Sequence, residues 1–472
     1  MSSDLSATNE AAQSIEPAQS LPAPPVEQAW FGLCLFALFL ATSGLWLGNS
    51  GFPQVPWFWP LRVVGVSALI VTRAGLALLT VVLVSLIVGL WPRRLPSGLA
   101  RWLNGEWLSS QRDIRTPTPF DSGSSPRLLP HAWASLLVLL IVLVLPDQNR
   151  LQPWVWHGML VSAMSIGTCR DPERWRRGVL WLTVSLYAWS AWSKFDASFL
   201  DSYGQQFIES LFGADNIQFR WWKPQDRQLA AAVLPLGEFA VALTMLVPST
   251  RKFGCGLSIV MHLGLMAAVG PLGLNHLPGV FLWNIYFIGQ NALLLKAARR
   301  ATPIEPGADL MVSPTRSSWG RLNQIILASA ILLPGLKPWG YCDNWPAWAV
   351  YASGIEHVTI YVAESAVDRL PDGARKVLEE SRIQSGWRAV RIEQWALQSC
   401  RAPIYPQDRF FMGVALWLAD EAALGDDELI VLWRGPSDRF SGQREVITLR
   451  GANDVRRFAE RYQWNLKAVS RQ

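Results

Sequence analysis

The sequence predicts an α-helical polytopic membrane protein with a small α+β domain at its carboxyl end. Half of the 472 residues are apolar and only 17% are charged, a balance typical of membrane proteins rather than of soluble enzymes of this length. About nine apolar runs are long enough to cross a bilayer, and charges become evenly spread only after the last run. These observations together predict a helical membrane domain over 29–338 and a soluble domain over 339–472.

The first 28 residues are rich in Ala, Pro, Ser and Glu and contain no Lys or Arg. Such a segment offers too little apolar surface to offset the entropy of ordering. A cleaved signal peptide would begin with a basic region, which is missing here. We therefore expect a disordered cytoplasmic tail over 1–28.

The membrane domain is expected to contain about nine transmembrane helices of roughly 20 residues each. The apolar runs lie near 29–48, 72–92, 131–147, 154–170, 177–195, 229–248, 252–271, 278–296 and 321–337. The helix count is open around 131–170, because the third and fourth runs are short.

Basic residues collect in every second connection between these runs. They are Arg93, Arg94, Arg101, Arg112, Arg115, Arg127, Arg170, Arg174, Arg176, Arg177, Arg251, Lys252, Arg299, Arg300 and Arg316, whereas the intervening short loops hold Arg62, then Arg150, then none between the seventh and eighth helices. By the positive-inside rule, the amino terminus is cytoplasmic and the domain after the ninth helix is extracytoplasmic, as in a bacterial plasma membrane. The formal charge of +6 is thus a topology signal and does not indicate a nucleic-acid partner.

The domain over 339–472 is predicted to be α+β. The segments 357–362 and 428–433 have the alternation or clustering of strands, and those around 374–380 and 454–462 favour helices. Of the five cysteines, Cys342 and Cys400 fall here and would either pair in an oxidising compartment or remain thiols. Neither a C-x-x-C motif nor a zinc-type His/Cys cluster is present, so no metal site is predicted.

Five polar residues within or at the ends of the apolar runs are the candidate site. Glu238, His262 and Asn284 lie deep, and His157 and Lys194 lie at outer ends. An ionisable group near the middle of a membrane helix costs about 3 kcal/mol, so each requires a reason. Glu238 and His262 would form a structural hydrogen-bonded pair or a ligand site, and Asn284 would link helices.

Lys194 allows two interpretations. Its ammonium either extends to lipid headgroups or to Asp196 and anchors the helix, or it is held in an apolar site where desolvation makes it a base. The neighbouring carboxylate of Asp196 favours the first interpretation.

Several motifs are similar to those of the vitamin K-dependent γ-glutamyl carboxylase and wider HTTM membrane family. WSKFDASFLDSY resembles the family segment in which a lysine precedes an aspartate, an aromatic residue, an acidic residue and a tyrosine. WVWHGML, LVPSTRKFGCGLSIVMHLGLM, GYCDNW and HVTIYV resemble further family segments in the same order, and the match covers about 147–362.

The resemblance implies a quinol cofactor, with Lys194 as the base that deprotonates it and His157 in a supporting role, and carboxylase-like lyase or quinol-dependent chemistry. The sequence departs from the family at Val155-Trp156, where the family has two asparagines, and at Ser193, where it has a second lysine. The outer domain is also much shorter than that of the carboxylase.

Two alternatives remain at this point. The segment from Glu238 to Asn284 also resembles DoxX/MauE-type redox-associated membrane proteins. A noncatalytic membrane anchor, with an outer domain that binds an envelope protein, is equally compatible with the sequence. A quinone or other hydrophobic small molecule that copurifies with the protein would favour the first two interpretations.

Overall fold

The computed structural model describes residues 26–47, 51–58, 65–90, 125–212, 219, 221–271, 273–300, 318–381 and 384–468. Most of the predicted tail and most of the basic connection after the second apolar run lie outside these residues, as do Arg62 and Arg316. The predictions for those segments are therefore not addressed by the structure.

The described chain is mostly helical, and a helix of 15 to 26 residues overlaps each of the nine apolar runs. These helices are α1 (Val26–Ala41), α3 (Gly65–Leu90), α4 (Ser125–Val144), α5 (Pro153–Thr168), α6 (Pro172–Lys194), α9 (Pro224–Leu246), α10 (Arg251–Val269), α11 (Pro278–Arg300) and α12 (Ser318–Leu332). The short helices between them are α2 (Ser43–Trp46), α7 (Ala197–Asp201) and α8 (Tyr203–Phe212), with 3-10 turns at Gln148–Arg150 and Leu333–Trp339.

Within the part of the chain that the structure describes, α9 and α10 are the two helices long and apolar enough to cross a membrane. Both present large apolar side chains on their exposed faces, for example Val233 on α9 and Val260 on α10, the latter 64% exposed. Such faces are costly in water and suit a lipid environment. The prediction of nine membrane crossings is not established by these two helices.

The carboxyl-terminal domain contains a five-stranded antiparallel sheet in the order β2-β3-β1-β4-β5. Its elements are β1 (His357–Ala363), α13 (Asp372–Arg375), β2 (Leu378–Glu380), β3 (Trp387–Val390), α14 (Ile392–Cys400), α15 (Asp408–Glu421), β4 (Leu429–Arg434), β5 (Val446–Arg450) and α16 (Gly451–Ala459), with a 3-10 turn at Glu364–Arg369. The predicted mixture of helices with a small sheet in this region is confirmed. The predicted helix over 374–380 is wrong in its second half, because Leu378–Glu380 pairs with β3 as a strand.

This domain packs against four connections of the helical bundle, all at one end that we call the domain end. The contacts are Phe52 with Trp395 (ring centroids 4.9 Å apart), Asn149 Oδ1 with Tyr405 N (2.7 Å), Asp196 Oδ2 with Ser437 Oγ (3.0 Å) and His276 Nδ1 with Tyr351 OH (2.9 Å). At the other end of the bundle, Arg176 Nε donates to Glu27 Oε1 at 2.8 Å. Consecutive long helices thus run between two opposite ends.

Arg409, a buried residue of the carboxyl-terminal domain, forms an ion pair within the domain and also contacts the bundle. The Arg409 guanidinium donates to Asp343, with Nη1 to Oδ1 at 2.7 Å, and its Nε donates to Gln148 Oε1 at 3.2 Å. It also lies over the ring of Trp57, 5.4 Å from the centroid. Because the guanidinium meets both a carboxylate and an aromatic face, its charge is compensated although the side chain is buried.

No disulfide joins Cys342 to Cys400 in this structure, where both cysteines are free, in line with the second of the two alternatives. Cys400 ends α14 and is fully buried, with its carbonyl against Gly44 of α2, while Cys342 is half-buried in the segment before Asp343. Each cysteine is held by the packing of its own segment. The two sulfurs lie in the same small domain but are not in the geometry that a disulfide bond requires.

Candidate functional site

Lys194 forms a buried ion pair with Glu238. Its Nζ donates to both Glu238 oxygens at 2.8 Å and to Ser190 Oγ at 2.6 Å, and the two residues are 5% and 9% exposed. Lys194 is the last residue of α6, and helical side chains lean toward the amino-terminal end of their helix. The ammonium therefore reaches back into the bundle, and the interpretation in which it extends to headgroups is wrong.

Asp196 does not hold the lysine. Its Oδ1 accepts from Ser198 N at 2.9 Å and caps α7, and both of its oxygens accept from Ser437 Oγ of the carboxyl-terminal domain. A carboxylate at this position satisfies a helix amino terminus that has no intrahelical partner. Asp196 is thus a helix cap that also fastens the domain to the bundle.

The hydrogen bonds of the Lys194–Glu238 pair define its chemistry. Nζ is the donor in all three contacts, so the ammonium has no lone pair with which to accept a proton. The carboxylate of Glu238 is the basic group in this arrangement. Lys194 becomes a base only if the pair opens and the proton passes to Glu238.

His262 belongs to a second network and does not contact Glu238, so the predicted pair of these two residues is wrong. Its Nδ1 meets Asn284 Oδ1 at 2.8 Å, and its Nε2 meets Tyr187 OH at 2.8 Å. Since an amide oxygen only accepts, Nδ1 carries the proton and Nε2 accepts from the tyrosine. Asn284 does link helices α10 and α11, and the ring of Phe287 stacks on the imidazole at 5.0 Å.

His157 belongs to a third network, at the domain end of α5. Its Nε2 meets Tyr286 OH at 2.9 Å; the tyrosine donates to Gln290 Oε1, and Gln290 Nε2 donates to Thr183 Oγ1 at 2.8 Å. Because the tyrosine gives its only proton to Gln290, Nε2 of His157 must be the protonated nitrogen. Nδ1 then has a free lone pair.

That Nδ1 atom is buried and has no hydrogen-bond partner among the described residues. Aromatic rings surround the imidazole, with Trp283 at 5.4 Å, Phe287 at 5.8 Å, Trp348 at 6.1 Å and Phe31 at 6.4 Å between ring centroids. A buried acceptor that lacks a donor costs about 1–3 kcal/mol. This site therefore favours a group that brings an O–H or N–H into an aromatic environment.

Helix α6 connects the three networks. Thr183, Tyr187, Ser190 and Lys194 are spaced at i, i+4, i+7 and i+11 and so lie on one face. Thr183 accepts from Gln290, Tyr187 bonds His262, Ser190 accepts from Lys194, and Lys194 also donates to Glu238. The network of His157 thus ends at Thr183, on the same face of α6 as Lys194. The two residues still belong to different networks, and no direct contact joins them in the described structure.

Two cavities that the structure shows lie away from these networks. One, of ≈ 320 Å³, is lined by Ile325, Ala328, Ser329, Leu332, Leu333 and Leu336. The other, of ≈ 330 Å³, is lined by Trp387, Asp426, Asp427, Leu429, Ile430 and Arg450. Neither includes Lys194 or His157, and both residues are buried in this conformation, at 5% and 0% exposed.

Sequence reasoning identified the five candidate residues but missed several of their partners. The missed residues are Thr183, Tyr187, Ser190, Tyr286 and Gln290, together with Ser258 and Asn291, which hydrogen-bond the Tyr187 hydroxyl. The spacing of 183, 187, 190 and 194 was the available signal, because it places polar groups on one face of an otherwise apolar helix.

No protein-family model, curated protein or solved structure matches the chain. The similarity to the carboxylase and HTTM proteins rests on the motifs quoted above.

Proposed function

We propose that the chain is a polytopic membrane protein similar to the HTTM family, which binds a hydrophobic ligand of the quinol class at the domain end of its bundle. The observation that carries the ligand proposal is Nδ1 of His157, a buried acceptor without a donor among aromatic rings. A quinol hydroxyl would supply the missing donor, and its ring would pack against the rings of Trp283 and Phe287. A quinone carbonyl cannot donate, so the reduced form suits this nitrogen.

The membrane location is supported by the helices themselves. Helices of 15 residues or more overlap all nine apolar runs, they run between two opposite ends, and α9 and α10 carry exposed apolar faces. With the positive-inside rule, the domain end is extracytoplasmic. A periplasmic-active reporter fused after residue 472 is expected to be active, and activity only of a cytoplasmic reporter there would refute this topology.

The Lys194–Glu238 pair would accept the proton of the bound hydroxyl. Ionisable residues within membrane helices are functional candidates by default, because their insertion is costly. The Glu238 carboxylate is the acceptor as the pair stands, and the ammonium of Lys194 compensates its charge. Transfer from a ligand held at His157 requires the two networks to connect through the shared face of α6.

The test is extraction of lipids from purified protein, with quantification of quinol and quinone. Wild-type protein and the exposed-lysine control Lys223→Met are expected to carry bound ligand. His157→Gln keeps a partner for Tyr286 and removes Nδ1, so it is expected to lose the ligand. Lys194→Met combined with Glu238→Leu is expected to keep the ligand and to lose transfer of its proton to the pair, read as loss of the ultraviolet absorbance of the bound quinolate. Quinone at the level of an unrelated membrane protein in every sample would overturn the proposal.

A noncatalytic membrane anchor is the second candidate, and a specific observation favours it. All three donors of Lys194 are filled, and both residues of the pair are buried. In this case the pair only joins α6 to α9. Protein without any copurified hydrophobic ligand, and with unchanged yield for His157→Gln, would support the anchor.

A further inference from the structure

The loop that joins β4 to β5, residues 435–445, presents a large apolar side chain to the outside of the molecule. Phe440 at its tip is 89% exposed. Mobility does not explain this exposure, because Asp438 N donates to Gln443 O at 2.8 Å and Gly442 N donates to Asp438 O at 2.9 Å. Gly442 has φ +70°, a conformation that glycine adopts without strain, and it allows the tight turn.

The loop lies against the domain end of α6. Arg439 O accepts from Ala197 N at 2.9 Å, and the Arg439 guanidinium lies 4.3 Å from the ring centroid of Trp192. Trp192 is in the last turn of α6 and is itself 53% exposed. Phe440 therefore directly follows Arg439, the residue that contacts the exposed end of α6.

Further exposed aromatic residues occur at the same end of the bundle. Trp221 precedes α9, and Trp339 and Tyr341 follow α12; each is at least 70% exposed. Aromatic side chains concentrate at the level of the headgroups in membrane proteins, and arginines there meet lipid phosphates.

We propose that the β4–β5 loop inserts Phe440 into the headgroup region of the outer leaflet beside α6, so that the carboxyl-terminal domain is itself a lipid-binding surface. The occupant is lipid rather than protein because Trp192 and Arg439 make this loop continuous with the apolar exterior of the bundle. The carboxylate of Asp438 is held within the loop, where it accepts from Ser441 N at 2.7 Å and from Phe440 N at 3.2 Å. This inference rests on the membrane location proposed above.

The experiment is photo-crosslinking in native membranes with benzoylphenylalanine in place of one residue at a time. Phe440 is the test position, and Val260 on the exposed face of α10 is the control for the bundle. Asp427 is the control for the distant side of the domain, since it lies just before the opposite end of β4. Lipid adducts are read by mass spectrometry of the purified protein.

Lipid adducts at 440 and 260, at least five-fold above those at 427, are the expected result. Adducts at 260 alone, or equal yields at 440 and 427, would overturn the lipid-binding loop while the membrane location stands. Adducts at none of the three positions would overturn the membrane location instead. A protein adduct in place of a lipid adduct at 440 would also refute the inference.

Discussion

Replacing Lys194 by methionine tests the buried pair, because it keeps most of the aliphatic stem and removes the charge. The Glu238 carboxylate would be left 9% exposed without a cation. Removing one partner of a buried ion pair costs about 3–5 kcal/mol, whereas replacing both partners by apolar residues is often nearly neutral. We therefore expect a large loss of stability for Lys194→Met and recovery of most of it in the double variant with Glu238→Leu.

The assay is the fraction of detergent-solubilised protein that remains monodisperse after heating, measured for the single and double variants in parallel. Arg456→Met is the matched control, since its 3.0 Å contact with Asp420 is exposed and is worth less than about 1 kcal/mol. Wild-type stability of Lys194→Met would refute the buried pair. Equal destabilisation in the single and double variants would show that the lysine acts through some other contact.

Three further predictions concern the carboxyl-terminal domain and its attachment. Asp343→Asn leaves the buried Arg409 guanidinium without its carboxylate, so a loss of about 3–5 kcal/mol and faster protease cleavage of the domain are expected. Burial, and secondly the charge of Arg444, lower the pKa of His357 below its ordinary 6.5. Below pH 6.5 the unfolded state therefore binds more protons than the folded state, and the stability that is present above pH 6.5 is lost as the pH falls. Melting experiments from pH 8 to 5 should show this loss for the wild type but not for His357→Gln. Asp196→Ala removes the α7 cap and should cost about 1 kcal/mol in the same melting assay.

The helices could be predicted from the sequence because a run of some 20 apolar residues has few alternatives to a helix. The segments 29–48 and 252–271, for example, correspond to α1 and α10. The sheet was predicted only where apolar residues cluster, as at His357–Ala363. Strand Leu378–Glu380 was missed because it is an edge strand of three residues whose pairing with β3 is decided by tertiary structure.

The site residues could be predicted one by one, but not their partners. A glutamate and a histidine that both lie in apolar runs are expected to pair with each other. In the structure Glu238 instead forms an ion pair with Lys194, and His262 forms a hydrogen bond with Tyr187. Partner choice depends on the rotation of each helix and on the depth of each residue along the bundle, and neither appears in a single sequence. A polar stripe at helical spacing, as on α6, carries more information than an isolated ionisable residue.

The difference between the two histidines decides where a ligand would bind. Both ring nitrogens of His262 have partners on neighbouring helices, so that residue is fully used in holding the bundle together. His157 has a partner on one side only, and its Tyr286–Gln290–Thr183 chain leaves the second nitrogen as an acceptor. A His157→Phe variant keeps the ring and removes both nitrogens, so bound quinol should disappear while the helical bundle persists. The same change at His262 should instead lower stability, since it removes the donor to the Asn284 side-chain oxygen and the hydrogen bond to the Tyr187 hydroxyl. Loss of ligand from both variants alike would indicate that ligand binding depends only on general packing of the bundle.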